Sequence, residues 1–214
     1  MDFSGMFAAP TAGYESLPWR AELLACTACT ARAEARRVVP GVGPLSSEIC
    51  IIGQNPGVDE DKDGVPFIGA GGDELNVWLR MLALDRNKLL VTNVLKCHTE
   101  NNRPPRAKEI ETCESKWFSR ELASYPALKV IIPLGRPALF GIVGKMDRVP
   151  DVMEAWWVKA DFEGGREVYV MPLAHPAYLL RTPTKRPEMY DRVLPAVKRY
   201  LQQEVPDVCA RAAL

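Results

Sequence analysis

Four groups of residues along this chain have the types and spacing that chemistry requires. The first is Cys26-Thr-Ala-Cys29 with the distant Cys97 and Cys113. A C-x₂-C pair with two further cysteines can offer four thiolates, which suit structural zinc or an iron–sulfur cluster; spacing alone favours zinc slightly. The second is Gly53-Gln-Asn-Pro-Gly57, followed by Glu60, Asp61 and Phe67. Phe67 offers a flat face for stacking, although a phenylalanine is commonly a core residue. Glu60 and Asp61 are either functional charge or solvated loop acids. The third is Asn93 in Thr92-Asn-Val94, whose planar amide carries one donating and one accepting edge, suited to reading a ligand or to capping a turn. The fourth is His175-Pro176, a ring that can donate a hydrogen bond or serve only structure.

The elements that must position these residues alternate between strand and helix. Ile49–Ile52, Leu89–Val94, Lys129–Leu134 and Glu167–Leu173 read as buried strands. Helical spacing runs over Gly72–Leu84, Ala107–Tyr125 and Pro187–Gln203, with a short helix opening at Gly135-Arg-Pro-Ala. Strands joined by helices predict an α/β fold, a three-layer α/β/α arrangement around a mostly parallel four-stranded sheet. Ligands in such sheets bind at the carboxyl ends of the strands. Gly53–Gly57, Asn93 and His175 all fall at such ends, and that convergence outweighs any one motif.

Composition narrows the classes. The 214 residues, 47% of them hydrophobic, suffice for a single domain over 1–214, with residues 1–20 expected as a flexible arm. Lys plus Arg and Asp plus Glu number 27 each, which argues against a protein that coats nucleic acid but allows local phosphate contacts. The amino terminus has no basic flank with an apolar run, and no apolar stretch reaches the ~20 residues of a membrane span. A cytoplasmic monomer without membrane association is expected. In a reducing compartment the six cysteines do not read as a disulfide framework; Cys50 reads as a buried small hydrophobe and Cys209 lies alone in the tail.

The motif Gly53–Gly69, continued by Thr92-Asn-Val-Leu-Lys-Cys97, Asn102-Arg-Pro-Pro105, Leu134-Gly-Arg136 and His175-Pro-Ala-Tyr-Leu-Leu-Arg181, resembles the uracil-DNA glycosylase superfamily, most closely its family 4. Cys26–Cys29 with Val39-Pro-Gly-Val-Gly43 extends the likeness, which covers roughly residues 22–200.

The resemblance implies base-excision repair, in which the base–sugar bond of uracil in DNA is hydrolysed to leave an abasic site. Such an enzyme extrudes the nucleotide, holds its base, stabilises the departing anion and places a water. Phe67 would stack on uracil, Asn93 would match O4 and N3–H, and His175 would donate to O2. Cys26, Cys29, Cys97 and Cys113 match ligands of a 4Fe–4S cluster of structural role. Asn55 is as in the mismatch-directed and single-strand-selective branches, which carry Gly-x-Asn-Pro-Gly, and its amide oxygen would orient water. Gln54 replaces a glutamate usual in family 4, a departure that bears on rate and substrate range. Gly57 stands where family 1 enzymes carry a tyrosine against thymine's methyl group. Glu60 or Asp61 would supply negative charge near the sugar. Leu179 or Leu180 would fill the gap left by the flipped nucleotide, and Arg103, Arg106, Arg181, Lys185 and Arg186 would meet phosphates. Two alternatives stand beside this reading: a glycosylase for hypoxanthine or xanthine, and a cluster-bearing DNA-binding member without strong catalysis. The basic insertion of the subgroup that forms covalent adducts is not seen after Cys97.

Overall fold

Along the first strand, Ile49 and Ile51 belong to one hydrophobic core, and Cys50 and Ile52 to a second. The two-residue period of the pleat thus puts a core on each side of the sheet. The structure is a computed structural model and describes residues 17–143, 153–162 and 166–214. Its sheet is built of β1 (Ile49–Gly53), β2 (Leu90–Asn93), β3 (Val130–Pro133), β4 (Val158–Phe162) and β5 (Arg166–Val170). Their order is β2-β1-β3-β5-β4, parallel except for β4, which pairs antiparallel with β5 at the edge. The first three strands are buried throughout, as parallel strands covered on both faces should be.

Five strands replace the expected four. The one missed is β4, Val-Lys-Ala-Asp-Phe, an edge strand whose Lys159 pairs with Glu167 of β5 at 2.8 Å. An edge strand carries charge where central strands carry apolar runs, so it lacks the signal that marked the others.

Helices cover both faces. Ala70–Leu82 and Leu194–Glu204 pack on the Ile49–Ile51 side, through Leu75, Trp78, Leu79, Val197 and Leu201. On the other side, Cys113, Trp117, Phe118 and Leu122 come from a helical stretch over 107–123. That stretch widens to a π-helical turn at Glu114–Phe118, directly after Cys113. Of the expected arm, residues 1–16 lie outside the described residues, whereas Trp19 is buried and donates to Ser124 Oγ at 3.1 Å. Among the described residues no helix is long and apolar enough to cross a membrane.

Candidate active site

β1, β2, β3 and β5 deliver their next loops to one end of the sheet, around a cavity of about 520 Å³. Gln54, Asn55, Gly57, Glu60, Phe67, Asn93, His175 and Arg181 all line it. The volume suits a small planar ligand.

Gly53 closes β1, and a Cβ there would stand 2.2 Å from Asn93 Oδ1 and 2.6 Å from Phe67 Cζ. Only a bare backbone lets the Asn93 amide and the Phe67 ring approach the same spot. Asn93, the last residue of β2, is 2% exposed, and its amide makes no hydrogen bond among the described residues. A buried amide without partners awaits a ligand that can satisfy it. Phe67 takes a left-handed backbone, φ 55°, a conformation a bulky side chain adopts only at a cost of order 1–3 kcal/mol. Arg86 braces the preceding residue by donating to the Pro66 carbonyl at 2.8 Å, and to Asn76 Oδ1 at 2.9 Å.

His175 caps the helix Pro176–Arg181, its Nδ1 accepting from the Ala177 N–H at 3.2 Å. That bond leaves the ring proton on Nε2. Burial, with the Arg181 charge adding to it, pulls the imidazole pKa down to about 4, so the ring is neutral near pH 7. The rings of Phe67 and His175 stack with centroids 5.9 Å apart.

Asn55 Nδ2 donates to the Pro56 carbonyl at 3.1 Å and to Thr99 Oγ1 at 3.4 Å, and Thr99 donates on to the Arg103 carbonyl at 2.6 Å. The amide oxygen of Asn55 accepts no hydrogen bond among the described residues. His98 Nδ1 meets the Pro56 carbonyl at 3.0 Å and must donate there. Neither His98 nor Thr99 was singled out in the sequence, although His98 directly follows Cys97 and is one of only two histidines. Glu60 is buried, accepts weakly from the Gly69 N–H at 3.4 Å, and occupies the space a side chain at Gly57 would need, its Oε2 2.5 Å from such a Cβ. Asp61 does not face the cavity; its carboxylate accepts from the Arg36 and Arg37 backbone N–H groups at 3.0–3.3 Å.

Other expectations are corrected. Leu179 is fully buried in the core beneath the helix and is not available to DNA, whereas Leu180 is 36% exposed. Of the cations expected at phosphates, Arg103 is held by Glu34 at 2.7 Å and Glu109 at 2.6 Å. The Arg103 bond, aided by Thr30 and the Arg106 N–H, draws the Glu109 carboxyl down to about 2. Arg106 also meets Glu109, Lys185 pairs with Glu188, and Arg186 pairs with Glu74. Arg181 has no such partner among the described residues and lines the cavity.

Behind β2 lies a buried ion pair that the sequence did not announce. Lys96 and Glu121 are 1% and 0% exposed and directly bonded. The ammonium also donates to Thr92 Oγ1 and to the Asn93 carbonyl, each at 2.7 Å, while Glu121 accepts from Gly41 N–H at 2.9 Å and from Thr92 Oγ1 at 2.6 Å. Asn93 is therefore anchored from the side away from the cavity.

Cys26, Cys29, Cys97 and Cys113 line one small cavity next to this pair. Trp117 Nε1 donates to Cys26 Sγ at 3.1 Å and Lys96 N to Cys113 Sγ at 3.3 Å. Burial, then neighbouring sulfurs, push the Cys97 thiol far up, and burial pushes Cys113 up to about 12. A bound cation would be needed to hold these sulfurs as thiolates. Four soft sulfurs and two N–H donors fit a metal–sulfur centre. Among the described residues no three His, Cys, Asp or Glu side chains are grouped as a single ion would need them.

Residues 40–198 match the Uracil DNA glycosylase superfamily. The chain belongs to that superfamily. Curated relatives include the type-4 uracil-DNA glycosylase of Archaeoglobus fulgidus, 34% identical over 177 residues, or 78% of this chain and 84% of the relative. The enzyme of the same name from Thermotoga maritima is 36% identical over 157 residues, 73% of this chain and 78% of that protein. A third, from Sulfurisphaera tokodaii, is 34% identical over 173 residues, covering 77% and 76%. The superfamily match includes every residue named at the cavity, from Gln54 to Arg181, and leaves Cys26 and Cys29 outside it.

Proposed function

We propose that this chain is a monofunctional uracil-DNA glycosylase: it hydrolyses the bond between uracil and its deoxyribose in DNA and leaves an abasic site. The observation that carries the reading is the meeting of Phe67, Asn93 and His175 at one cavity, each in the state the task needs. Phe67 supplies a stacking face. The unpartnered Asn93 amide offers a donor for uracil O4 and an acceptor for N3–H. Neutral His175 presents Nε2–H where O2 gains negative charge as the bond breaks, the kind of donor placement that stabilises a developing anion.

Asn55 orients the water through its free oxygen, and Glu60 contributes negative charge near the sugar cation. The backbone is left uncut, since the reaction consumes only the glycosidic bond and one water. Arg181 and the exposed Leu180, at the end of the His175 helix, contact the strand. The four cysteines hold a 4Fe–4S cluster. The four sulfurs line one cavity, and the likeness of these positions to family 4 favours a cluster over a single zinc ion. The cluster's role is to bind the segment carrying Cys26 and Cys29 to the loop after β2.

Base release from oligonucleotides that differ only at the target base tests the proposal. Uracil should be released fastest in single-turnover assays. Hypoxanthine and xanthine present a similar carbonyl and N–H edge, so they belong in the same panel. Release of neither uracil nor these bases would overturn the reading in favour of a binding-only member.

A further inference from the structure

A chain of balanced charge that works on DNA needs local cations, and most of those expected around the cavity are tied to carboxylates. Three arginines of a different group are not. Arg20, Arg32, Arg36 and Arg37 line an open cleft of about 490 Å³, with Asp63 its one acidic lining residue. Among the described residues no carboxylate stands within ion-pair distance of the Arg32, Arg36 or Arg37 guanidinium; Arg32 bonds the Ala35 carbonyl at 2.9 Å.

The cleft is fastened to the candidate active site. Asp61, 5% exposed, clamps the Arg36 and Arg37 backbone N–H groups. It lies on the helix Val58–Asp63, whose first residues line the cavity and whose last, with Gly64, line the cleft. From Glu60 to Gly64 the backbone advances about 6 Å at the rise of a helix. DNA advances about 3.4 Å per nucleotide along one strand, so the cleft falls within a few nucleotides of a residue held in the cavity. The clamp on the helix uses the backbone N–H groups of Arg36 and Arg37 rather than their guanidinium groups.

We propose that this arginine cleft binds the sugar–phosphate backbone of the DNA beside the target nucleotide. The proposal rests on the reading above that the chain acts on DNA. Its signature is counterion release: each phosphate contact contributes about 0.9 to the slope of log affinity against log salt on duplex DNA. Binding of the full, cluster-loaded protein to an undamaged duplex should be measured by anisotropy across salt concentrations. Removing two contacts in R36A/R37A should flatten the slope by about 1.8. The parent should then lose about twelve-fold more affinity than the variant between about 50 mM and 200 mM salt. R36K/R37K should keep the parental slope. An unchanged slope in R36A/R37A overturns the proposal. So does unchanged DNA binding with lost retention on immobilised polyglutamate, which would mark the cleft as a site for acidic protein. Failure of the parent itself to bind DNA would instead strike the functional reading.

Discussion

The ring of Phe67 lies 5.9 Å from that of His175, inclined by 30°, with Asn93 Oδ1 beside the Phe67 edge above Gly53. Two side chains from separate elements, Asn93 and Phe67, thus depend on one missing Cβ. Gly53→Ala would put a methyl group 2.2 Å from the Asn93 oxygen and 2.6 Å from the Phe67 ring. We expect the variant to fold, since Gly53 ends β1 without a left-handed backbone, but to release uracil at least about 10²-fold more slowly, as displaced catalytic groups do. Single-turnover excision alongside circular dichroism checks this; parental excision would show that the two side chains do not act together.

The state of His175 makes a prediction about pH. Its folded pKa is about 4 and its usual value 6.5, so as pH falls the unfolded chain takes up the proton first. The stability it contributes is complete above 6.5 and is lost progressively down through 4. Excision should accordingly stay independent of the imidazole between pH 5 and 8, whereas a His175 titrating near 6.5 would show a break there. His175→Ala should lower the chemical step by roughly 10²–10³ with little change in DNA affinity.

Asn93 separates uracil from cytosine by pattern alone. Cytosine shows a donor at N4 and an acceptor at N3, opposing a fixed Asn amide at both points. Each unpaired buried group costs about 1–3 kcal/mol, so cytosine is rejected by orders of magnitude. Asn93→Asp removes the donor to O4 and offers the cytosine amino group an acceptor. Uracil release should fall and cytosine release become detectable. Parental uracil activity in both Asn93→Asp and Asn93→Ala would show that this residue does not read the base.

Lys96 and Glu121 hold the back of that same residue. Removing one partner leaves an uncompensated buried charge, so Lys96→Met should cost about 3–5 kcal/mol in urea unfolding. Lys96→Met with Glu121→Leu should recover most of it, because an apolar pair carries no such charge. Equal destabilisation by the single and double replacements would refute the account.

Protein purified without air should be brown and contain iron and sulfide, and Cys97→Ser should lose iron together with thermal stability. Colourless protein with one zinc per chain would replace the cluster by a single ion.

The strand ends were legible from the chain itself because buried parallel strands are continuous apolar runs, and each run here stops at a chemically distinctive loop. Gly53–Gly57, Asn93 and His175 could be placed at one end of a sheet on that ground alone, and the tertiary structure brings them to a single cavity. What pattern could not decide was partnership in space. Leu179 and Leu180 are adjacent and identical in type, yet the turn of one helix buries the first and exposes the second. Arg103 and Arg36 look equally free in a sequence; only folding brings Glu34 and Glu109 to one and leaves the other open. Lys96 and Glu121, 25 residues apart, become a pair because β2 and the helix behind it pack together. Local sequence carries periodicity and backbone preference, whereas the charge state and hydrogen bonding of a side chain depend on groups that arrive from elsewhere in the chain.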